Sequence, residues 1–538
     1  DYTTVKGEKW YDPRTSNGED ENGEVVKRIR EYKKMVWSNT LNYLTTFNNI
    51  HHLDFLAGYE IDDTYNDYLS GEAYNFTTPD KHAISNGMKT VSVGGSDSRY
   101  RLVSYLSRLN YDYKNKYYLG ASFRVDGSSR LHRDNRWGTF WSVSGAWRTI
   151  EEEFMQPVKD WLTDLRIRAS YGVNGTLPSD YFGYMGLSSI SGGYLEQPGI
   201  QMSQIANPNL KWETNYNMNI GLDFGFWDRL NFTIEYYTRT TKNLLMDCPV
   251  SMTTGFSSYL MNIGEVKNKG IELTINSTNI KIKDFSWNTT FNLGHNSNKV
   301  VKLDGEQTQI VSGTQIHKVG SSYRTFYVQE FAGINPETGN PLFYTNELDE
   351  NGNYIKEITE NSKNAQFIPY KHAEPTVNGG ISNSLRYKWL DLNFLFSYQF
   401  GGYSYDTWAQ KTEHGGYDSY ANIPTYYRDS WKKPGDQTNI EVYMLGKSSS
   451  VSMHKITSSR RIHSTDYFRL KNITFGITLP KEWTNKINIG NVRFYASASN
   501  LWTWAAYDNY DPEAVSAGSA TQTTPPLKTV TFGFNINF

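Results

Sequence analysis

The sequence predicts an all-β fold, a transmembrane antiparallel β-barrel, from three observations: long alternating strands, connections of alternating length, and aromatic residues near strand ends. The last segment, residues 528–538, shows the alternation most clearly, because every second residue is apolar and the residues between them are polar. A strand of about ten residues can cross a bilayer at a tilt, whereas strands of soluble proteins usually have about five or six residues. The apolar side of this segment consists of Val530, Phe532, Phe534, Ile536 and Phe538.

The composition excludes several other classes of protein. The 538 residues carry a formal net charge of −2, which gives no reason to expect a nucleic-acid partner. No stretch approaches 18 apolar residues, so transmembrane helices are not expected. Cys248 is the only cysteine, so neither an internal disulfide nor a cysteine-based metal cluster is predicted. The first residues lack a signal-peptide pattern and are typical of a mature or truncated start.

About fifteen segments repeat the alternation, and two more are candidates at 322–333 and 340–347. Such a dyad repeat is typical of a membrane barrel, with apolar residues toward lipid and polar residues toward the lumen. We therefore expect Phe475 and Phe534 to face lipid, and Thr474 and Asn535 to face inward. The clearest apolar stripes begin at Leu53, Tyr117, Met218, Leu230, Trp287, Leu390, Ile473 and Val492.

The connections between these segments alternate between short and long, as they do in outer-membrane barrels. Residues 1–31 are polar and turn-rich and are interpreted as an extracellular loop segment, while residues 32–538 are assigned to the barrel. The stretch 296–374 allows two interpretations, one long outer excursion or an added pair of strands. Short links are expected at 48–49, 114–115, 227–228, 281–282 and 387–388, and long outer links near 64–97, 175–212, 241–267, 403–465 and 502–527.

Aromatic residues gather near the predicted strand ends, where their rings suit the headgroup level of a bilayer. Residues 149–162 are the one segment in which a short helical turn is expected. The aromatic positions near strand ends are Trp37, Trp137, Trp141, Trp147, Trp389, Trp483, Trp502 and Trp504.

Several motifs resemble the SusC/RagA family of TonB-dependent outer-membrane transporters, and together they cover nearly the whole chain. One example is Asn207–Glu213 (Asn-Pro-Asn-Leu-Lys-Trp-Glu), which is followed by Asn219–Phe226 (Asn-Ile-Gly-Leu-Asp-Phe-Gly-Phe). The sequence departs from the family in length, because no TonB-contacting segment, plug domain or first barrel strands are recognisable. Further similar stretches are Asp164–Gly172, Glu235–Leu245, Asn262–Glu272, Ala332–Gly339, Asp466–Ile473 and Ala498–Trp502.

The resemblance implies the C-terminal part, about 15–17 strands, of a 22-stranded plugged barrel in the bacterial outer membrane. It also implies active import energised through TonB, which would be contacted by an N-terminal part not recognisable here, and a SusD-like surface lipoprotein as a lid. Oligosaccharides, as glycan breakdown products, are the expected substrates. An oligopeptide importer of the same family, a passive porin-like barrel and an outer-membrane enzyme are the alternatives. A dimer of transporter–lid pairs is left open.

The longest outer link, 403–465, supplies the candidate substrate-binding residues. Solvent exposure does not account for so many large rings within some thirty residues, so either a ligand or a protein contact is expected to cover them. No phosphate-binding glycine loop, HExxH pair or nucleophile elbow is present, so no enzymatic activity, cofactor or metal site is predicted. The candidates are Tyr405, Asp406, Trp408, Tyr417, Tyr420, Tyr426, Tyr427 and Trp431.

Overall fold

A computed structural model gives the architecture. It describes the chain except residues 195–196, 304–307, 418–421, 447–451, 454, 485, 487–488, 521–522 and 538. None of its described helices is both long and apolar enough to cross a bilayer.

The described chain is almost entirely antiparallel β-structure, as predicted. Sixteen long strands pair in the order in which they occur along the sequence, which agrees with the predicted 15–17. Their bounds are β1 Tyr2–Tyr11, β2 Glu24–Phe47, β3 His51–Phe76, β4 Gly87–Tyr113, β5 Tyr117–Ser128, β6 Trp137–Trp147, β7 Leu162–Thr176, β10 Glu213–Phe226, β11 Leu230–Pro249, β12 Ser258–Lys281, β13 Phe285–Leu303, β23 Val377–Tyr387, β24 Leu390–Phe400, β27 Tyr467–Thr478, β28 Asn491–Ala505 and β31 Thr529–Asn537.

The remaining strands are short and form separate small sheets. β8 (Leu187–Tyr194) pairs with β9 (Gln197–Gln204), and the other small strands lie between β13 and β31. These are β14 Gln309–Ser312, β15 Gln315–Lys318, β16 Thr325–Gln329, β17 Phe331–Ile334, β18 Pro341–Tyr344, β19 Glu347–Leu348, β20 Tyr354–Ile355, β21 Ile358–Thr359, β22 Phe367–His372, β25 Tyr403–Asp406, β26 Ile462–Ser464, β29 Val515–Ser516 and β30 Ser519–Ala520.

Helices are few and short. Besides α1 (Thr407–Thr412) and α2 (Lys481–Thr484), the segment predicted to contain a helical turn forms two 3₁₀ helices, Thr149–Glu151 and Glu153–Val158. Other 3₁₀ turns are Ile84–Asn86, Met252–Thr254, Ser362–Asn364, Thr425–Asp429, Ser459–Arg461 and Pro512–Ala514.

The chain divides into two compact units. The first comprises Asp1–Gly145, Ser170–Tyr216 and Thr241–Ile263, and the second comprises Ala146–Ala169, Asn217–Thr240 and Gly264–Phe538. In the first unit, Leu131, Leu210 and Trp212 form a buried cluster. The second unit contains all eight candidate residues and is the one that matters for the site.

The strand register confirms the predicted separation of the two strand faces in the last strands of the second unit. Phe494 lies opposite Phe534, and Arg493 lies opposite Asn535. The two polar residues therefore share one face and the two phenylalanines share the other. On the polar face, Arg493 bonds Asp391 at 2.6 Å across Gly476, where an added Cβ would displace the ends of these two side chains.

The tight turns occur where the sequence placed them. Residues 48–50, 114–116, 227–229, 282–284 and 388–389 separate consecutive long strands. The first three turns contain two residues each with positive φ, a left-handed conformation that Asn tolerates better than most residues.

Several predicted boundaries were wrong. Residues 2–11 and 24–31, interpreted as part of a loop segment, are strands, because β1 pairs with Glu24–Lys33 and only residues 12–23 form the connection. The long link expected at 64–97 is mostly strand as well, since β3 and β4 pair from His51↔Tyr113 to Phe76↔Gly87. Hydrogen-bonded pairing of β3 with β4 continues through polar residues there, so the alternation of apolar and polar residues could not mark where these strands end.

The strand pairing decides between the two interpretations of residues 296–374. β13 pairs directly with β23, and the strands between them belong to the small sheets. Within the described residues, this stretch is one long excursion and adds no strand to the long sheet.

Candidate ligand-binding site

A small mixed sheet positions the first candidate residues. β25 pairs antiparallel with β26 and parallel with β30, so that Tyr405 lies opposite both Ile462 and Ser519. Tyr405 is buried in a cluster with Phe326 and Val328, and this burial raises the pKa of its hydroxyl. Tyr405 is therefore a core residue where the link 403–465 packs against the excursion, and it does not present its ring to a ligand.

Asp406 ends β25 and begins helix α1. One of its carboxylate oxygens accepts a hydrogen bond from the backbone N–H of Ala409 at 2.7 Å, which is the usual role of an N-cap residue. The other oxygen accepts a bond from the Tyr507 hydroxyl at 3.1 Å. Asp406 thus fixes the start of α1 and joins two outer links whose residues are far apart in sequence.

An aromatic and imidazole group surrounds this carboxylate. The rings of His463 and Tyr507 stack with centroids 3.7 Å apart and planes 2° from parallel. Burial, together with the neighbouring cations Arg461 and Arg460, lowers the pKa of His463 to about 4 against the opposing effect of Asp406. Burial raises the pKa of Tyr510 to about 12. These groups are consequently neutral near pH 7.

A cavity of about 580 Å³ opens beside Asp406. Its volume is within the range of about 300–1,000 Å³ that is typical of small-molecule sites. Rings, carboxylates and an amide line it together, so it offers flat apolar surfaces as well as hydrogen-bonding groups. The lining includes Asp406, Trp408, Trp504, Asp508, Asn509 and Tyr510.

Charged side chains hold one wall of the cavity in place. Arg469, on β27, has only 2% of its side chain exposed and bonds Asp511 at 2.6 Å and also Glu513. Lys471 bonds the same Glu513 at 2.8 Å. Because Asp511 and Glu513 begin the short 3₁₀ turn Pro512–Ala514, these ion pairs attach the link after β28 to the long sheet.

Two of the eight candidates, Asp406 and Trp408, therefore line the cavity, and Trp408 is the more exposed of the two. Trp408 lies on α1 with 41% of its surface exposed, whereas Asp406 is almost completely buried. A ligand in the cavity could stack on the Trp408 ring, and Asp406 would act mainly by positioning α1 and Tyr507.

Three other candidates, all in the link 403–465, contact other parts of the protein's own chain. Tyr426 donates a hydrogen bond to Glu413, and burial raises its pKa to about 12. Tyr427 is buried next to Tyr426, with ring centroids 5.8 Å apart. Trp431 donates its indole N–H to the Pro336 carbonyl at 2.7 Å. Tyr427 is covered by the protein's own chain, and Tyr426 and Trp431 are half-buried and hydrogen-bonded to it, which supports the structural interpretation of these positions.

The last two candidates lie elsewhere. Tyr417 is partly exposed, and the Lys455 ammonium lies 5.0 Å from its ring centre. Tyr420 lies outside the described residues. Within the described part of the chain, no group of three or more His, Cys, Asp and Glu side chains is arranged to hold a metal ion.

Residues from the last outer link were missed as ligand-site candidates. The stretch 502–513 contains Trp502, Trp504, Tyr507 and Tyr510 together with Asp508 and Asp511, a density of rings and carboxylates like that of 403–431. The same compositional argument could have selected it. What the sequence could not show is that the two links meet, because no periodic pattern connects Asp406 with Tyr507.

Comparison with known proteins identifies the family. Residues 2–349 match the family described as TonB dependent receptor-like, beta-barrel. TonB-dependent receptor P3 of Formosa agariphila is 31% identical over 96% of this chain and 53% of its own length. TonB-dependent receptor SusC of Bacteroides thetaiotaomicron is 30% identical over 88% of this chain and 47% of its own.

Solved structures agree with this result. The RagAB peptide transporter matches with a TM-score of 0.87 and 26% identity, over 100% of this chain and 59% of the matched chain. The chain thus spans about half the length of the curated relatives that it matches. It belongs to the TonB-dependent receptor β-barrel family of the outer membrane and is of the SusC/RagA type.

Proposed function

We propose that the intact protein imports oligosaccharides across the outer membrane, with energy supplied through TonB. The observation that carries this proposal is the likeness to SusC over 88% of the chain. We also propose a SusD-like surface lipoprotein as the partner that covers the outer links, and we propose that the protein catalyses no reaction on its substrate.

The cavity beside Asp406 supports a saccharide as the substrate class. Pyranose rings stack their apolar faces on aromatic side chains, and their hydroxyls bond to carboxylates and amides. Trp408, Trp504 and Tyr510 supply rings, while Asp508 and Asn509 supply hydrogen-bonding groups. This mixture fits a neutral ligand with many hydroxyls.

Oligopeptides are the second candidate substrates. The favouring observation is the likeness to the RagAB peptide transporter over the whole chain. Peptides use the same rings and add backbone hydrogen bonds, so the lining of the cavity is compatible with them.

An uptake experiment tests the transport proposal. Cells that express the protein are given labelled oligosaccharides or labelled hexapeptides, with TonB present or deleted. We expect oligosaccharide uptake that disappears without TonB. Uptake that survives the deletion would instead indicate a passive porin-like barrel, and TonB-dependent uptake of hexapeptides alone would indicate the peptide importer.

A pair of tryptophan variants tests the site. Trp408→Ala removes an exposed ring from the cavity, and Trp431→Ala is the matched control, since Trp431 does not line the cavity and its indole N–H is bonded to the Pro336 carbonyl. Truncating an aromatic anchor in a pocket can cost about 2 kcal/mol or more, which is a loss of roughly thirty-fold in affinity. We expect that loss for substrate with Trp408→Ala while the lid lipoprotein still binds. Loss of lid binding with substrate affinity unchanged would assign Trp408 to the protein interface.

A further inference from the structure

A second cavity lies within the excursion between β13 and β23. It has a volume of about 490 Å³, and its floor is formed by the small sheet of β14, β15, β16 and β22. All four strands contribute to it, so the cavity extends over the face of the sheet instead of following one edge. Its floor residues are Gln309, Lys318, Tyr327, Phe367 and Pro369.

The sheet has two different faces. Phe326 and Val328 are completely buried in the cluster that includes Tyr405. Tyr327 lies between them in sequence and therefore points to the opposite face, where its ring is 5.5 Å from that of Phe367. Those two rings form an aromatic floor that is partly exposed.

The hairpin of β19 and β20 forms the wall above this floor. It contributes Leu348 and Tyr354, both well exposed, and Asn346 just before its first strand. The backbone of Asn346 has a φ of 52°, a left-handed conformation that Asn adopts readily. Asn346 is one of the residues that line the cavity.

Asn346 is the observation that points to a ligand. Only 1% of the residue is exposed, and within the described part of the chain neither its amide oxygen nor its amide nitrogen has a hydrogen-bond partner. Buried polar side chains in native proteins are nearly always paired, and an unpaired one calls for an explanation such as a bound group. One acceptor and two donors are available at this position.

We infer that this cavity is a second, separate binding site, and that it takes one or more neutral sugar residues. A pyranose lying over Tyr327 and Phe367 would place its ring face on aromatic carbons and its hydroxyls beside the Asn346 amide and the Gln309 and Gln366 side chains. The lining contains one lysine, Lys318, and one glutamate, Glu347. The cavity therefore has no net charge that would select an ionic ligand. A peptide strand would instead be expected along a sheet edge.

This site shares its ligand class with the proposed function but uses different residues. It would hold glycan at the excursion, and it would not need TonB. The two proposals can therefore fail independently, because one is measured as binding to the purified protein and the other as uptake into cells.

The test is a binding assay on the intact protein in detergent. The probes are an array of neutral α- and β-linked gluco-, xylo-, manno- and galacto-oligosaccharides and an array of unmodified hexapeptides. Asn346→Gly removes the amide while keeping the left-handed backbone unstrained, and Tyr354→Ala removes an exposed ring that supports no core. Ile358→Ala, which shortens an exposed side chain on β21 that lines neither cavity, is the control.

We expect at least one series of neutral glycans to bind, with affinity at least tenfold lower in both Asn346→Gly and Tyr354→Ala and unchanged in Ile358→Ala. Absence of glycan binding, or glycan binding that neither excursion variant weakens, would overturn the inference. Hexapeptide binding that depends on Asn346 while glycans do not bind would overturn it too, and would assign a peptide to this groove.

Discussion

Arg469 is the residue on which the wall of the first cavity depends most. Its guanidinium is buried and faces the carboxylates of Asp511 and Glu513. Removing one partner of a buried ion pair leaves the other charge without compensation, at a cost of about 3–5 kcal/mol. Arg469→Met should therefore destabilise the protein by about that amount and release the link 505–520, which limited proteolysis would detect. Lys471→Met is the control, since Lys471 is 40% exposed and should cost about 1 kcal/mol or less.

Equal sensitivity of the two variants would contradict this account. It would mean that solvent reaches Arg469 and that the cavity wall is held by other contacts.

His463 should make the outer links sensitive to acid. Its folded-state pKa of about 4 is below the ordinary value of 6.5, so the unfolded state binds a proton that the folded state does not. The stabilisation is complete above pH 6.5 and is lost as pH falls toward 4, by about 3 kcal/mol at most. We expect hydrogen exchange in 403–465 to accelerate over this interval, and His463→Phe to remove that dependence. An unchanged pH profile in the variant would exclude His463 as its source.

Sequence reasoning was weakest at this residue scale. It selected Asp406 and Trp408, which line the cavity, but also Tyr405 and Tyr427, which are buried in the chain itself, and Trp431, which is half-buried against Pro336. A count of rings in one loop does not distinguish an exposed ring from a packed one. That distinction depends on partners such as Pro336 and Phe326, which belong to another segment.

The strands are the scale at which the sequence was most informative. The alternation placed Phe534 and Phe494 on one face and Asn535 and Arg493 on the other, as the register confirms. A period of two is a local property, so it can be read without knowing the fold. The ends of β3 and β4 were misplaced because hydrogen-bonded pairing of polar segments leaves no such pattern.

A charged residue on the apolar face of β31 should therefore disturb membrane assembly. Phe534 is well exposed on that face, and Arg near the bilayer midplane of a barrel costs about 2–4 kcal/mol. Phe534→Arg should reduce the amount of heat-modifiable protein in the outer membrane. Asn535→Arg is the matched control on the opposite face and should assemble normally. The reverse result would place Phe534 in the lumen and would invert the assignment of every outer link.

For the whole molecule, the strand count and the family could be predicted, but the small sheets of the excursion could not. The alternation around 322–333 was compatible with further barrel strands, and only the pairing of β16 with β22 shows that these segments fold on themselves. Such pairing joins residues that the sequence separates by about forty positions and by several turns, and local pattern carries no information about it.

The long sheet has two edges at which a strand has a described partner on one side only. β2 pairs with β1 only up to Lys33, so residues 35–47 have a described strand partner, β3, on one side alone. β31 likewise has β28 as its one described partner. In lipid, each unpaired backbone group costs several kcal/mol, so an open edge is not a stable arrangement in a membrane.

We predict that further strands pair with both edges in the intact protein, since the chain spans about half the length of its curated relatives. Residues 1–538 expressed alone and directed to the outer membrane should then fail to form a heat-modifiable, detergent-resistant monomer, whereas the full-length gene product should form one. The reason is geometric, because strand number, tilt and shear together set the width at which a barrel closes. A folded, detergent-resistant monomer from residues 1–538 alone would show that β2 and β31 find partners within this chain, and the prediction would be wrong.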